Sequence, residues 1–433
     1  MNNTELQFIN ILRQEICGRV ARADGADAGG DTAKSLDSSC ADASERSAVF
    51  ALAKKHKMDG VIARHFIDEE KASGAETAQA GGTETAQARA ANTAQASESL
   101  CAQMQRSLDT ELFRAATFDI EMAAMDEALT RKGIDYVPLK GAVIRDFYPE
   151  KWMRSSKDID ILVRPEDKER ATKVLSQIPG YKLLKKTAHH NIFGTSNGWM
   201  IELHFMLTDH ANPGTPLLKR AWEFVRCGDV TGAADAASEA TVAAAHARTF
   251  TAEFFYTYFM YHMAHDFVSG GCGIRPLLDL YLMRSGEPGP ACHAMLREAE
   301  LETFAEQMEQ LSKGLFGETL SISDEQKTIL DYIFVSGANG SEFNAQIMQR
   351  AREKDGSSYA KNRIFISDDE LTRRFPSFPE HKWARPFYQI ARWGKSLFAG
   401  RAGSKLSQIK EMSEGGDAAA GEMLDCLGLT NYE

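Results

Sequence analysis

Apolar residues fall at roughly helical spacing through most of this chain and alternate with polar ones over one shorter stretch. Leu6, Ile9, Ile11, Leu12 and Ile16 predict an amphipathic helix over the first twenty residues. The segment SERSAVFALAKKHKMDGVIARHF predicts a helix capped by Ser44 and interrupted at Gly60 before a second, shorter one. A longer stripe, Leu108, Leu112, Ala115, Phe118, Met122, Met125 and Leu129, predicts a core-facing helix from about Leu100 to Arg131, stopped by Gly133. Two tracts interrupt this pattern, at about 21–44 and about 71–97. Both are small, polar and poor in anything to bury, which predicts loops or linkers. The second repeats an eight-residue unit (GAETAQAG, GTETAQAR, AANTAQAS), but alanine and threonine methyls are too little for a stacking repeat.

Between Asp135 and Leu207 the period changes. IDYVPL predicts a strand, KGAVIRDFY a turn into a short helix, and DIDILV a second strand. RPEDKERATKVLSQI, with Pro165 and acidic residues in its first turn, predicts a helix that Gly180 closes. YKLLKK and HNIFGTS predict two more strands, and Asn197-Gly198 a tight hairpin turn into WMIELHF, because both residues tolerate positive φ. From Thr215 onward the pattern is helical almost to the end, with TAEFFYTYFMYHMAHDFVSGG, IRPLLDLYLMRSG and TFAEQMEQLSKGLFG as its clearest helices. The glycines of SGGCGIRP then act as a helix stop. A basic, aromatic-rich segment, SFPEHKWARPFYQIARWGKSLF, is suited to cover the sheet or a partner. The expected fold is α+β. A mixed-sheet core over 135–210 is flanked by N-terminal helices over 1–134 and by a helical domain and tail over 211–433.

Composition narrows the function. The chain has 433 residues, 43% of them hydrophobic, enough for a sizeable core. Its net charge of -11 argues against broad binding to duplex nucleic acid or anionic membrane, although a local basic cleft is compatible with it. Seven scattered cysteines without a C-x-x-C pair suggest neither a disulfide framework nor a zinc site. No run reaches the 18 or so apolar residues of a membrane span, and the N-terminus lacks an export signal, so a cytoplasmic location is expected.

The candidate chemistry lies in SSKDIDILV and IELHF. Side chains alternate along a strand, so Asp158 and Asp160 share a face while Ile159, Ile161 and Val163 face the core. Two like charges so close repel, and a divalent cation relieves that cost. On WMIELHF, Glu202 shares a face with Met200 and His204, and Glu202 is the expected third carboxylate if both apolar faces look toward one core. His204 either orients a site group or makes an ordinary hydrogen bond. Lys140 and Arg154 suit phosphate contact or plain solvation. His262 and His265, one turn apart, read as core or substrate-facing histidines rather than metal ligands, and Phe254, Phe255, Tyr258 and Phe259 as core. There is no G-x-S-x-G, Walker or G-x-G-x-x-G motif.

The run PLKGAVIRDFYPEKWMRSSKDIDILVRPED, followed by GYKL and IELHF, resembles the bacterial uncharacterised nucleotidyltransferase family within the superfamily that has the DNA polymerase β-type fold. The resemblance centres on 135–207. It implies transfer of a nucleoside monophosphate from an NTP to an unknown acceptor hydroxyl with release of pyrophosphate. Asp158, Asp160 and Glu202 would then hold Mg2+ or Mn2+, and Lys140, Gly141, Arg154, Ser155, Ser156 and His204 would contact substrate. One residue departs from the superfamily: Ala142 follows Gly141 where a phosphate-binding serine is usual, so Lys140, Arg154, Ser155 or Ser156 would have to supply the lost contact. The alternative is a non-catalytic nucleotide- or partner-binding module on the same fold.

Overall fold

The computed structural model describes residues 1–23, 42–77, 87–227, 246–283, 289–352, 384–387 and 416–432. The chain opens with α1 (Asn3–Leu12), a π-helical turn at Arg13–Cys17 and α2 (Gly18–Ala23). α3 (Ala43–His56) and α4 (Asp59–Thr77) follow, then the long α5 (Gln87–Thr130). The α/β segment runs β1 (Tyr136–Pro138), α6 (Gly141–Ile144), β2 (Asp158–Val163), α7 (Lys168–Leu175), β3 (Lys182–Lys186), β4 (His190–Gly194) and β5 (Met200–His204). α8 (Thr215–Lys219) leads to a short pair, β6 (Val225–Cys227) and β7 (Arg248–Phe250). The remainder is helical: α9 (Ala252–Val268), α10 (Arg275–Leu282), α11 (Pro290–Glu298), α12 (Glu302–Phe316), α13 (Asp324–Ser336), α14 (Glu342–Arg352) and α15 (Gly416–Leu427). This is an α+β fold.

The main sheet has the order β1-β2-β5-β4-β3, with β2 and β5 parallel and every other pair antiparallel. Alternation sends Ile159, Ile161 and Val163 of β2, Phe193 of β4 and Ile201 and Leu203 of β5 into one core with Phe118, Met125 and Leu129 of α5 and Ala171 and Leu175 of α7. Each Val, Leu, Ile, Phe or Met among them contributes about 1.5–3 kcal/mol on full burial. Trp199 joins them edge-on to Phe118 at 5.4 Å, its indole donating to Thr117 Oγ1 at 3.0 Å. On the opposite face Asp158, Asp160 and Glu202 stand with Leu162, which packs into the cluster that includes Phe254 and Tyr258 of α9.

The N-terminal and C-terminal helices share a second core. Phe8, Phe50, Ile62 and Phe66 belong to the same buried cluster as Phe254, Phe267, Leu278, Phe304 and Leu330. Phe254, Tyr258 and Phe259 are core, as their pattern predicts, and Phe255 is partly buried against them.

Several local expectations need correcting. Asp42, not Ser44, caps α3, accepting from the Ser44 and Glu45 amides. The break between α3 and α4 falls at Lys57–Met58; Gly60 lies inside α4, where a Cβ would meet Glu111 Cγ of α5 at 3.0 Å, so it permits close helix contact instead. Leu112 is 40% exposed, off the buried stripe of α5, because the helix turns its core face gradually along its length. The hairpin turn puts only Gly198 at positive φ (81°); the Gly198 amide donates to Thr195 and the Thr195 amide to Trp199 O. The strands β6 and β7 interrupt what reads as continuous helix after Thr215, being three residues each with no alternation to reveal them. The SGGCG segment does stop α9: Gly270, Gly271 and Gly273 all have positive φ, and a Cβ on Gly271 would overlap Ser336. Of the tracts expected to be loops at about 21–44 and about 71–97, residues 71–77 close α4 and 87–97 open α5, so these parts are helix; 24–41 and 78–86, with nearly all of the basic aromatic segment at 377–398, lie outside the described residues.

Candidate active site

Parallel pairing of β2 with β5 sets Asp158 level with Met200 and Asp160 level with Glu202, while β4 sets His190 beside His204 and Ile192 beside Glu202. In-register neighbours point the same way, so Asp158, Asp160, Glu202, His204 and His190 share the polar face. Asp160 is buried and Asp158 and Glu202 are partly buried. Asp160 and Glu202 stand side by side on the paired strands. His204 Nε2 lies between them, 3.2 Å from Asp160 Oδ1 and 3.3 Å from Glu202 Oε2.

The electrostatics of neighbouring aspartates diverge. Burial disfavours the charge on both. For Asp158 that burial is reinforced by the charges of Asp160 and Glu202, which outweigh Lys140 and raise its pKa. For Asp160 burial is overcome by Lys140 and by His204, and its pKa falls well below the ordinary carboxylate range. His204 is raised, since its two carboxylate partners outweigh the burial that opposes its charge. Burial pushes His190 down to about 4, which keeps its imidazole neutral.

Lys140 enters from the turn after β1. The Leu139 amide donates to Asp160 O at 3.0 Å, which ties that turn to β2. Lys140 itself has φ 40° and ψ −109°, a conformation that costs a non-glycine residue of order 1–3 kcal/mol and tends to be kept at functional sites. Burial works against its charge, but Asp160, followed by Tyr258, Asp266 and Asp158, raises its pKa. The repulsion between the two aspartates is thus partly offset from within the chain.

α9 supplies the facing wall. Tyr258 and His262 stand edge-to-face at 4.5 Å. Burial first, then Lys140, hold His262 well below its usual range, and it also feels Asp160 and His204. His265 stacks near His210 at 4.2 Å. Among the described residues, one group has the donor types and spacing to hold a metal ion: His190, Glu202 and His204, whose ligand atoms lie within 4.8 Å of one another. His262 and His265 are not in it, and neither are Asp158 and Asp160, so of the three carboxylates expected to share an ion only Glu202 stands in this group. The Nδ1 atoms of His190 and His204 are buried without a hydrogen-bond partner.

Around Gly141 the site has a second part. Ser156 Oγ donates toward Asp158, 2.9 Å from its carbonyl and 3.2 Å from Oδ1. A Cβ built on Gly141 would lie 2.7 Å from Arg154 Nη1 and 3.3 Å from Ser156 Oγ, so glycine is required for this approach. Arg154 donates through Nε and Nη2 to Asp279 of α10, which also accepts from Tyr148 at 2.7 Å. Burial opposes the Arg154 charge, but Asp279 raises its pKa. Arg145 fixes the far end of α6, pairing with Asp119 of α5 at 3.0 Å over the Phe118 ring.

Of the nine residues picked from the sequence, Asp158, Asp160, Glu202, His204, Lys140, Gly141, Arg154 and Ser156 converge; Ser155 does not. Its side chain turns away to hydrogen-bond Glu111, and its carbonyl accepts from Arg275 Nη1 at 2.7 Å. Sequence reasoning missed His190, Asp279 and Arg275. His190 opens a predicted strand, but only the β4–β5 register reveals which face it takes.

No described helix is long and apolar enough to cross a membrane. Comparison with curated proteins and with solved structures gives no match. The family model described as Uncharacterised nucleotidyltransferase matches residues 42–317, well over half of the chain and a span that contains every residue of this site. The chain belongs to the Uncharacterised nucleotidyltransferase family.

Proposed function

We propose that the protein transfers a nucleoside monophosphate from an NTP to an acceptor hydroxyl on a DNA polymerase β-type nucleotidyltransferase core. The observation that carries this reading is the level pairing of Asp160 with Glu202 across parallel strands, with Asp158 on the same face. Three carboxylates on one face of the sheet, two of them level across paired strands, offer the oxygen donors that a hard divalent cation takes. Asp158, Asp160 and Glu202 would hold Mg2+ or Mn2+, which when bound neutralises the triphosphate and acidifies the acceptor hydroxyl. His190 and His204 border the same carboxylates as nitrogen donors.

The chain's own groups do the rest. Ser156 Oγ and Arg154 Nη1 flank Gly141 and supply the hydroxyl and cation that Ala142 does not, which weighs against the non-catalytic alternative. Lys140 meets the triphosphate from the strained turn, and Asp279 keeps Arg154 aimed. The acceptor oxygen bonds to the α-phosphorus, the bond from that phosphorus to the α–β bridging oxygen breaks, pyrophosphate leaves, and the hydroxyl proton passes to water.

Incubating the purified protein with Mg2+ or Mn2+, a cell extract and NTP labelled at either the α- or the γ-phosphate tests this. The α-label should enter an acceptor and the γ-label should appear in pyrophosphate. Asp158→Asn and Asp160→Asn should each abolish both while leaving the circular dichroism spectrum unchanged. Transfer of the γ-label to the acceptor, or wild-type transfer by both variants, overturns the reading.

A further inference from the structure

The approach to β2 separates two recesses by side-chain parity. Arg154, Ser156 and Asp158 face the Gly141 turn, whereas Ser155 and Lys157 face the other way. That other side opens into a cleft of about 530 Å³ between the end of α3, the middle of α5 and residues 155–157. Its cations are Lys54, Lys57, Arg106, Arg114 and Lys157. Two carboxylates accompany them and both are engaged: Glu111 pairs with Arg114 at 3.0 Å, and Asp59 accepts from Ser107 at 2.8 Å. Five positive against two negative groups leave a local excess of three positive charges, on a chain whose net charge is -11.

The lysines are held against each other. Lys57 takes φ 60° at the end of α3, a left-handed position that favours glycine or asparagine. There its side chain faces Lys157 within the same cleft. Burial first, and then this contact, lower the Lys57 pKa, with Arg275 adding to the repulsion and Asp59 offsetting part of it. Arg275, behind Ser155, has a buried Nε without a hydrogen-bond partner. A left-handed backbone position that brings two ammonium groups to one cleft is an arrangement that an anion stabilises.

We propose that this cleft binds the phosphate of a phosphorylated small molecule, the acceptor that receives the nucleotide. The volume falls in the range of about 300–1,000 Å³ typical of small-molecule sites. Lys157 adjoins Asp158 in the chain, so a ligand anchored there borders the carboxylate site without occupying the Gly141 side. The acceptor role rests on the nucleotidyl-transfer reading; the anion site does not.

Calorimetric titration with inorganic pyrophosphate in EDTA tests the site apart from metal and nucleotide. Wild type should bind in a salt-dependent way. Lys157→Gln, at an exposed residue, and Lys57→Asn, which suits the left-handed backbone, should each weaken binding about tenfold, the value of one lost charge-assisted contact. Asp158→Asn should not weaken it. Absent binding, or equal binding by wild type and both lysine variants, overturns the site. For the role, extract treated with phosphatase, and then freed of it, should no longer accept label, whereas untreated extract yields a labelled product that passes a small-pore filter. Label that survives phosphatase treatment, or that is retained on the filter and released by ribonuclease, overturns the acceptor assignment. An enzyme that labels nothing in either extract fails as a transferase, and the titration still decides the anion site.

Discussion

Asp279 receives Arg154 along two parallel hydrogen bonds, 2.9 Å from Nε to Oδ1 and 2.8 Å from Nη2 to Oδ2, with both side chains shut away from solvent. The pair spans 125 residues of chain and joins the helical half to the strand approach that carries Asp158. Removing one member of a buried ion pair leaves the other uncompensated, at a cost of about 3 kcal/mol. Asp279→Asn should lower unfolding stability by that order in urea titration. Arg154→Met with Asp279→Leu should recover most of the loss, because packed apolar groups avoid the desolvation penalty, yet should not recover transfer. An unchanged urea midpoint in Asp279→Asn would show that Arg154 does not depend on it.

Glu202 separates binding from chemistry. In the scheme proposed above, the aspartates dominate nucleotide retention while Glu202 serves the acceptor side. Glu202→Gln should slow single-turnover transfer by about 10²- to 10³-fold, the scale for losing one group aimed at charge that develops in the transition state. Metal-nucleotide affinity should change far less. Unchanged transfer removes Glu202 from the site, and equal loss of both makes it a binding ligand.

The nearness of His190 and His204 to Glu202 makes the centre softer than carboxylates alone would. Imidazole donors favour Mn2+ over Mg2+. Transfer should therefore saturate at lower Mn2+ than Mg2+, and His190→Ala should narrow that gap by weakening Mn2+ alone. Electron paramagnetic resonance of bound Mn2+ reads the same change without catalysis. Equal metal dependence in wild type and variant would exclude His190 as a ligand.

Away from the site, His65 carries a pH dependence of stability. It is 4% exposed and lies 2.9 Å from Glu15 and 3.5 Å from Glu69. Burial opposes its charge, but the two carboxylates raise its pKa to about 9. A raised folded-state pKa stabilises fully below the unfolded value of about 6.5 and loses that contribution as pH rises through about 9. Melting temperature should fall across this window, and His65→Gln should flatten the fall. A parallel decline in both proteins would assign it to other groups.

The part of the site that a single strand dictates was legible in the sequence. Alternation alone put Asp158 and Asp160 on one face and Glu202 with His204 on another strand's matching face, because the side-chain period is fixed by backbone geometry. Register between strands is not local, so neither the pairing of Asp160 with Glu202 nor the presence of His190 could be read without it. Ser155 parts from the other candidates for a related reason: proximity in sequence to Asp158 says nothing when odd and even residues face opposite recesses. Asp279 and Tyr258 lie on helices whose periodicity announces burial but not what they are buried against. The helices themselves were visible wherever apolar spacing was regular, whereas Gly60 reads as a breaker because its neighbour Glu111 is fifty-one positions away.

The parallel register of β2 and β5 also bears on how this site can be lost. A slip of one residue in β2 would carry Ile159 and Ile161 onto the opposite face and drive Asp158 and Asp160 against Phe118 and Met125, so the carboxylate cluster and the hydrophobic core would fail in one event. Insertions or deletions within this strand cannot yield a folded, inactive descendant. Descendants that keep this fold without the carboxylates must arise by exchanging side chains one at a time, and would keep the alternating strand as a trace of the cluster it once held.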